Sequence, residues 1–138
     1  MSYKIKKIDY YNITVQDQPG EAYKLLAELK NLGISMSAFS AIPLGTDTTQ
    51  LIVFPDDTHK MSKELRLAGQ KPDGPHKALL VQGDDELGAL VDIHMKLYKG
   101  HINISAAHGV TDGSGGFGYI IYLRTDEFEK AVKTLGIG

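Results

Sequence analysis

Two short stretches carry the side chains best suited to hold a small polar ligand. Asp17-Gln18-Pro19-Gly20 lies between an apolar alternating run (Tyr11, Ile13, Val15) and an amphipathic run from 21 to 32. Asp85-Glu86-Leu87-Gly88 stands sixty-eight positions later in the same kind of setting. Each reads as a strand-to-helix turn. A helix N-terminus offers unbonded N–H groups and a partial positive charge, worth about 0.3–1 kcal/mol to an anion at an exposed position. Gly20 and Gly88 lack a Cβ, so a ligand carboxylate can approach the backbone. Asp17 or Asp85 can take a ligand ammonium. Ser35, Asn103 and Ser105, at the start of the strand after each helix, can add hydrogen bonds. The same aspartates are good N-caps, and Pro19 suits a first helical turn. Capping and ligand binding are both open to them.

Other chemistry is not expected. Gly113 to Gly118 matches the spacing of a dinucleotide fingerprint, which needs a helix after it. Tyr119-Ile120-Ile121-Tyr122 follows instead and reads as a strand, so the segment is a hairpin loop. His94, His101 and His108 recur every seven residues. The first falls on a helix and the other two on opposite faces of one strand, so they do not converge on one metal. No Ser-His-Asp order or paired carboxylates stand out, so no catalytic residue, metal or cofactor is expected. The chain has no cysteine, which removes thiol catalysis and disulfides and fits a cytoplasmic setting. Net charge is −2 and Lys4, Lys6 and Lys7 form the one basic cluster, so nucleic acid is not an expected partner. No apolar run approaches the ~20 residues of a membrane span.

These residues must be placed by a small scaffold, since the chain has 138 residues. Residues 3 to 16 look extended. Ile8 and Tyr10 have the opposite parity to Tyr11, Ile13 and Val15, so a break near Asp9 is expected, with 3 to 8 as an edge or arm. Ala22, Leu25, Leu26, Leu29 and Leu32 give a helix stripe, and Gly33 stops it. Ile34, Met36, Ala38, Ser40 and Ile42 alternate as a strand, followed by a strand at 51 to 54 and a helix carrying Met61 and Leu65. Residues 70 to 75 are rich in Pro and Gly and read as a linker. The order then repeats. Residues 76 to 82 are a strand, and Leu87, Leu90, Ile93 and Leu97 a helix stripe. Residues 101 to 106 and 119 to 123 are strands, and Phe128, Val132 and Leu135 mark a last helix.

An offset of 68 superposes Asp17 on Asp85, Ala22 on Leu90, Leu25 on Ile93, Leu29 on Leu97, Ile34 on Ile102 and Val53 on Ile121. A period this long marks a duplicated domain. The expected units are 1–70 and 76–138, joined by a linker at 71–75. Each reads strand, helix, strand, strand, helix. A fourth strand would complete a ferredoxin-like unit; residues 3 to 8 or a shared strand at 76 to 82 are open choices for it.

Strand, Asp-x-Pro-Gly, helix, Gly-Ile-x-Met, strand, strand, helix resembles an ACT domain. Gly88-Ala89-Leu90-Val91-Asp92-Ile93 with Ile102-Asn103-Ile104 resembles the family pattern more closely still, although Leu87 stands where a proline is usual. The whole chain is similar to small stand-alone proteins of two tandem ACT units. The resemblance implies an α+β fold of two ferredoxin-like βαββα(β) units, with antiparallel sheets and helices on one face. It also implies an amino-acid-binding regulatory protein that does no chemistry itself, with its site near the strand–helix turn at an interface between units. The site residues it points to are Asp17, Pro19, Gly20, Ser35, Asp85, Glu86, Leu87, Gly88, Asn103 and Ser105. Asn103 and Ser105 favour the second copy if only one binds. Unpaired sheet edges and uncovered sheet faces suggest a homodimer. The alternatives are a ligand-free regulatory subunit of a partner enzyme and a small enzyme on the same scaffold.

Overall fold

The computed structural model describes residues 3–69, 71–84 and 86–137. In chain order the elements are β1 (Tyr3–Gln16), α1 (Glu21–Asn31), β2 (Met36–Leu44), β3 (Thr48–Pro55), α2 (Thr58–Leu67), β4 (Asp73–Gly83), α3 (Glu86–Lys99), β5 (Ala106–Thr111), β6 (Phe117–Tyr122) and α4 (Thr125–Thr134). They form two compact units, one of Asp9–His76 and one of Met1–Ile8 with Lys77–Gly138. Among the described residues, no helix is long and apolar enough to cross a membrane.

In the unit of Asp9–His76 the strand order is β2-β3-β1-β4. β1 pairs antiparallel with β3 from Tyr11↔Val53 to Gln16↔Thr48, and β2 pairs with β3 from Met36↔Pro55 to Leu44↔Thr48. A bulge between Met36 and Ala38 shifts the register. One extra residue flips every later side chain to the other face. Phe39, not Ala38, therefore joins Met36 against the core, and the strict alternation expected for β2 fails there. Tyr11, Leu51 and Val53 meet Leu25 and Leu29 of α1 and Met61 and Leu65 of α2. Asp57 caps α2 by accepting from the Lys60 N–H at 3.0 Å.

β1 runs without the expected break. Tyr10 has apolar company on its own face, with ring centroids 5.3 Å from Phe54 and 5.2 Å from His76. Both parities of β1 thus find packing partners, and no bulge is needed to turn one of them inward. The expected linker is also partly strand, since β4 begins at Asp73. The segment approaches β1 so closely that a Cβ on Gly74 would lie 2.8 Å from the Tyr10 carbonyl and 2.9 Å from Tyr11 Cδ2. Glycine is the residue this contact allows. Asn12 Nδ2 donates to Asp73 at 3.3 Å, which ties the two strands together.

In the second unit the order is β1-β4-β6-β5, with β1 contributing its first residues. β4 pairs with β6 from Leu79↔Ile121 to Gly83↔Phe117, and β5 with β6 from Ala106↔Tyr122 to Thr111↔Phe117. Leu79, Val81 and Ile121 pack on Ile93 and Leu97 of α3 and Phe128 and Val132 of α4. Tyr3 and Ile5 pack against this core. The Tyr3 hydroxyl donates to Asp92 of α3, which also pairs with Lys96 at 3.1 Å. The Tyr3 bond, then the one from Lys96, holds the Asp92 carboxyl below its usual range. Both units therefore have the ferredoxin-like strand order 4-1-3-2. The fourth strand is β4's start in one and the chain's own beginning in the other. β5 starts at Ala106, later than expected. Residues 101 to 105 lead into it, with Ile102 buried and the Ser105 N–H bonded to the Tyr122 carbonyl at 2.9 Å.

Candidate ligand site

In the unit of Asp9–His76 the end of β1 turns into α1 through Gln18-Pro19-Gly20-Glu21. The Glu21 N–H reaches the Gln18 carbonyl at 3.4 Å, and Gly20 sits at φ 90, ψ −8. Proline at the second position and a positive φ at the third make this a type II turn, which explains the Pro-Gly pair. The turn moves the start of the helix to Glu21, so Gly20 is the N-cap and no side chain caps α1. This corrects the expectation that Asp17 caps the helix and that Pro19 lies in its first turn. Asp17 instead accepts one long bond, 3.5 Å, from the Thr49 hydroxyl, and its backbone N–H is held by the Asp47 carbonyl at 2.9 Å.

A pocket of about 310 Å³ opens beside this turn. Asp17, Gln18, Glu21 and Ala22 line one side, and Ala41, Pro43, Thr49 and Leu51 of the β2–β3 hairpin line the other. It combines a carboxylate not spent on the helix, a second carboxylate at Glu21, and the uncapped start of α1. Glu21 is only loosely engaged, 3.8 Å from Lys24 Nζ. Such a set suits a zwitterion, with an ammonium near the carboxylates and a carboxylate near the helix N–H groups. Glu21, Thr49 and the hairpin residues were not singled out in the sequence. The β1–β3 register, which brings Thr48 beside Gln16, is the signal that finds them.

The equivalent place in the second unit is built differently. Asp84, Leu87, Thr111, Gly113 and Phe117 line a pocket of about 390 Å³, and Leu90, Gly109, Phe117 and Tyr119 line one of about 190 Å³. Asp112 accepts from the N–H groups of Ser114 at 2.7 Å and Gly116 at 3.0 Å, and these bonds hold its carboxyl below the usual range. Its charge is thus consumed by its own glycine-rich loop. Tyr119 is bound through its hydroxyl to His94 Nε2 at 2.7 Å, and burial raises its pKa. Its ring covers Gly109, where an added Cβ would lie 2.8 Å from Tyr119 Cδ1.

The remaining sequence-predicted residues divide between the two ends of the strands within each unit. Leu87 and Gly88 fall in the first turn of α3, which begins at Glu86; Asp85 lies outside the described residues. Ser35 is near Asp56, whose N–H donates to the Ser35 carbonyl at 2.9 Å, while Asp17 is near Thr49 at the other end of β3. Asn103 and Ser105 likewise lie toward Tyr122 and α4, where the Asn103 N–H donates to Glu127 at 3.2 Å. Leu87 lies toward Thr111 and Phe117. Within a unit, neither Ser35 nor Asn103 and Ser105 joins its strand–helix turn. Among the described residues, no group of three His, Asp or Glu side chains is arranged for a metal ion.

No family model and no curated protein matches the chain. Solved structures do. Protein BT0572 from Bacteroides thetaiotaomicron aligns with a TM-score of 0.78 at 16% identity, over 96% of this chain and 88% of its own. The ligand-free regulatory subunit of aspartate kinase from Thermus thermophilus aligns at 0.61 and 15% identity, over 99% and 96%. That from Thermus flavus aligns at 0.54 and 16%, over 99% and 95%. The chain thus shares the fold of these structures, with two ferredoxin-like units of the kind the sequence resemblance implies.

Proposed function

We propose that this chain is a regulatory protein that binds a free amino acid in the pocket beside the β1–α1 turn. One observation carries the reading. α1 starts without a side-chain cap while the neighbouring Asp17 carboxylate makes a single long hydrogen bond. An aspartate just before a helix is a favoured cap; here Asp17 and the uncapped start of α1 both line the pocket without bonding to each other. The N–H groups of the first turn receive the ligand carboxylate, and Asp17 with Glu21 receives its ammonium. Two proteins of this fold are named regulatory subunits of aspartate kinase. That supports a role in modulating a partner enzyme of amino-acid metabolism, with no catalytic step in this chain.

Thermal-shift screening of the twenty amino acids tests the reading. A ligand at ~100 times its Kd adds ~2.7 kcal/mol of stability. One or a few amino acids should raise the melting temperature, and Asp17→Asn should remove the effect. No response to any of them at millimolar concentration contradicts the assignment and leaves the ligand-free regulatory subunit as the better reading.

A further inference from the structure

The two fourth strands differ in the edge they leave open. In the unit of Asp9–His76 the outermost fourth strand is the start of β4, and Pro75 lies in it. A proline has no N–H to give, so that edge is blunted against a further strand. In the second unit the outermost fourth strand is the beginning of β1, Tyr3 to Ile8. It holds no proline and no glycine, and the pairing of β3 with β1 begins at Tyr11, beyond it. Tyr3 and Ile5 pack on the core, which puts Lys4 and Lys6 on the opposite face of the strand. Lys4, Lys6 and Lys7 are all exposed, and among the described residues none of them is in an ion pair.

We infer that this edge takes an acidic extended segment of another protein as an added strand. In such an addition the backbone bonds supply affinity and alternate side chains supply the choice of partner. Here the alternate side chains on one face are Lys4 and Lys6, and a carboxylate directly opposite each is favourable. A second copy of the same edge is the wrong occupant. Antiparallel pairing about Ile5 sets Lys4 against Lys6 twice, and like charges placed opposite one another exclude a partner. Nucleic acid fits no better, because three lysines neutralise few phosphates and a phosphate backbone makes no use of a strand edge. The inference deepens the regulatory reading, on which it rests for the existence of a partner: the acidic strand belongs to the regulated protein.

The probe is an acetylated and amidated hexapeptide of alternating valine and glutamate, titrated to millimolar concentration into the isotope-labelled full chain. Saturable NMR shifts should appear at residues 3 to 8 and not at Glu21 to Tyr23, and hydrogen exchange of alternate amides in that run should slow. The double variant Lys4→Glu with Lys6→Glu should bind this peptide roughly tenfold more weakly. It should take instead a peptide of alternating valine and lysine, which also shows that the variant is folded. No saturable shift at residues 3 to 8 overturns the proposal. So does equal binding of the valine–lysine peptide by the wild type. Equal binding of a peptide with proline in place of each valine, or of an oligothymidylate of the same charge, overturns it as well, since these offer charge without a strand. Shifts of the same amides with protein concentration alone assign the edge to a second copy and have the same force. The regulatory reading stands or falls separately, on the thermal shift with free amino acids.

Discussion

The two units share a scaffold and differ in what fills the same corner of it. Offset by 68 residues, Ala22, Ala41, Thr49 and Leu51 of the first pocket become Leu90, Gly109, Phe117 and Tyr119 in the second. Ala22 gives way to the larger Leu90, and Thr49 and Leu51 to the aromatic Phe117 and Tyr119, while Ala41 gives way to Gly109. Asp17 faces a pocket; its counterpart by the offset, Asp85, lies outside the described residues, and Asp112, beside Thr111 of the second corner, is folded back onto its own loop. Duplication preserved the apolar periodicity that builds each core and let the strand–helix corner diverge. The repeat marks the same corner in each unit, and the side chains there set the two corners apart.

The largest effects should come from the positions the two units share. Leu29→Ala and Leu97→Ala remove equivalent fully buried side chains, and each should cost ~2–5 kcal/mol in urea denaturation. A large loss from only one would mean that the cores are less alike than their sequences. Next comes Gly109→Ala, whose Cβ would press on Tyr119 Cδ1 at 2.8 Å and the Gly118 carbonyl at 3.0 Å. It should cost ~1–3 kcal/mol by the same assay, as overpacking does. Gly118→Ala, whose Cβ meets nothing within 4 Å, should be close to neutral and is the control.

Acid sensitivity separates the corners further. The folded state holds Asp112 below its ordinary carboxyl pKa of 3.8. A group with a depressed folded pKa stabilises fully above its unfolded value and loses that contribution as pH falls through the folded one. Asp112→Asn should therefore flatten the loss of stability below pH 3.8, as followed by acid titration of circular dichroism. An unchanged acid limb would show that the loop carboxylate is not held as described. The smallest effect on stability is expected from Asp17→Asn, within ~0.5 kcal/mol for an exposed side chain away from any cap.

What could be read from the sequence, and what could not, follows the same division. The cores were legible because Leu25 and Leu29, or Ile93 and Leu97, recur at a helical spacing that only burial explains. The fourth strands were legible only as open choices, residues 3 to 8 or a shared strand at 76 to 82. Tyr3 to Ile8 carries three lysines and looks like an arm, and Asp73-Gly74-Pro75 looks like a linker, until each is seen closing a sheet. Asp17 was found as a candidate but misread as a cap, because the type II turn at Pro19-Gly20 competes with capping for the same residues. Ser35 and Asn103 stand away from the turns for a topological reason. A strand-helix-strand unit brings the chain back along the helix before the next strand starts. The 11 residues of α1 span about 16 Å, so the start of β2 lies at the far end of the sheet. Leu87 belongs to the expected core stripe in sequence but is exposed, because α3 buries Ala89, Ile93 and Leu97 instead.

The central claim is that the first corner, and not the second, holds an amino acid between Asp17 and the start of α1. Amide-resolved NMR titration tests it most directly, using the amino acid that gives the largest thermal shift. Saturable shifts should concentrate on the amides of Glu21, Ala22 and Tyr23, disappear in Asp17→Asn and persist in Asp112→Asn. Shifts centred on residues 111 to 118, or shifts at α1 that survive Asp17→Asn unchanged, would contradict it.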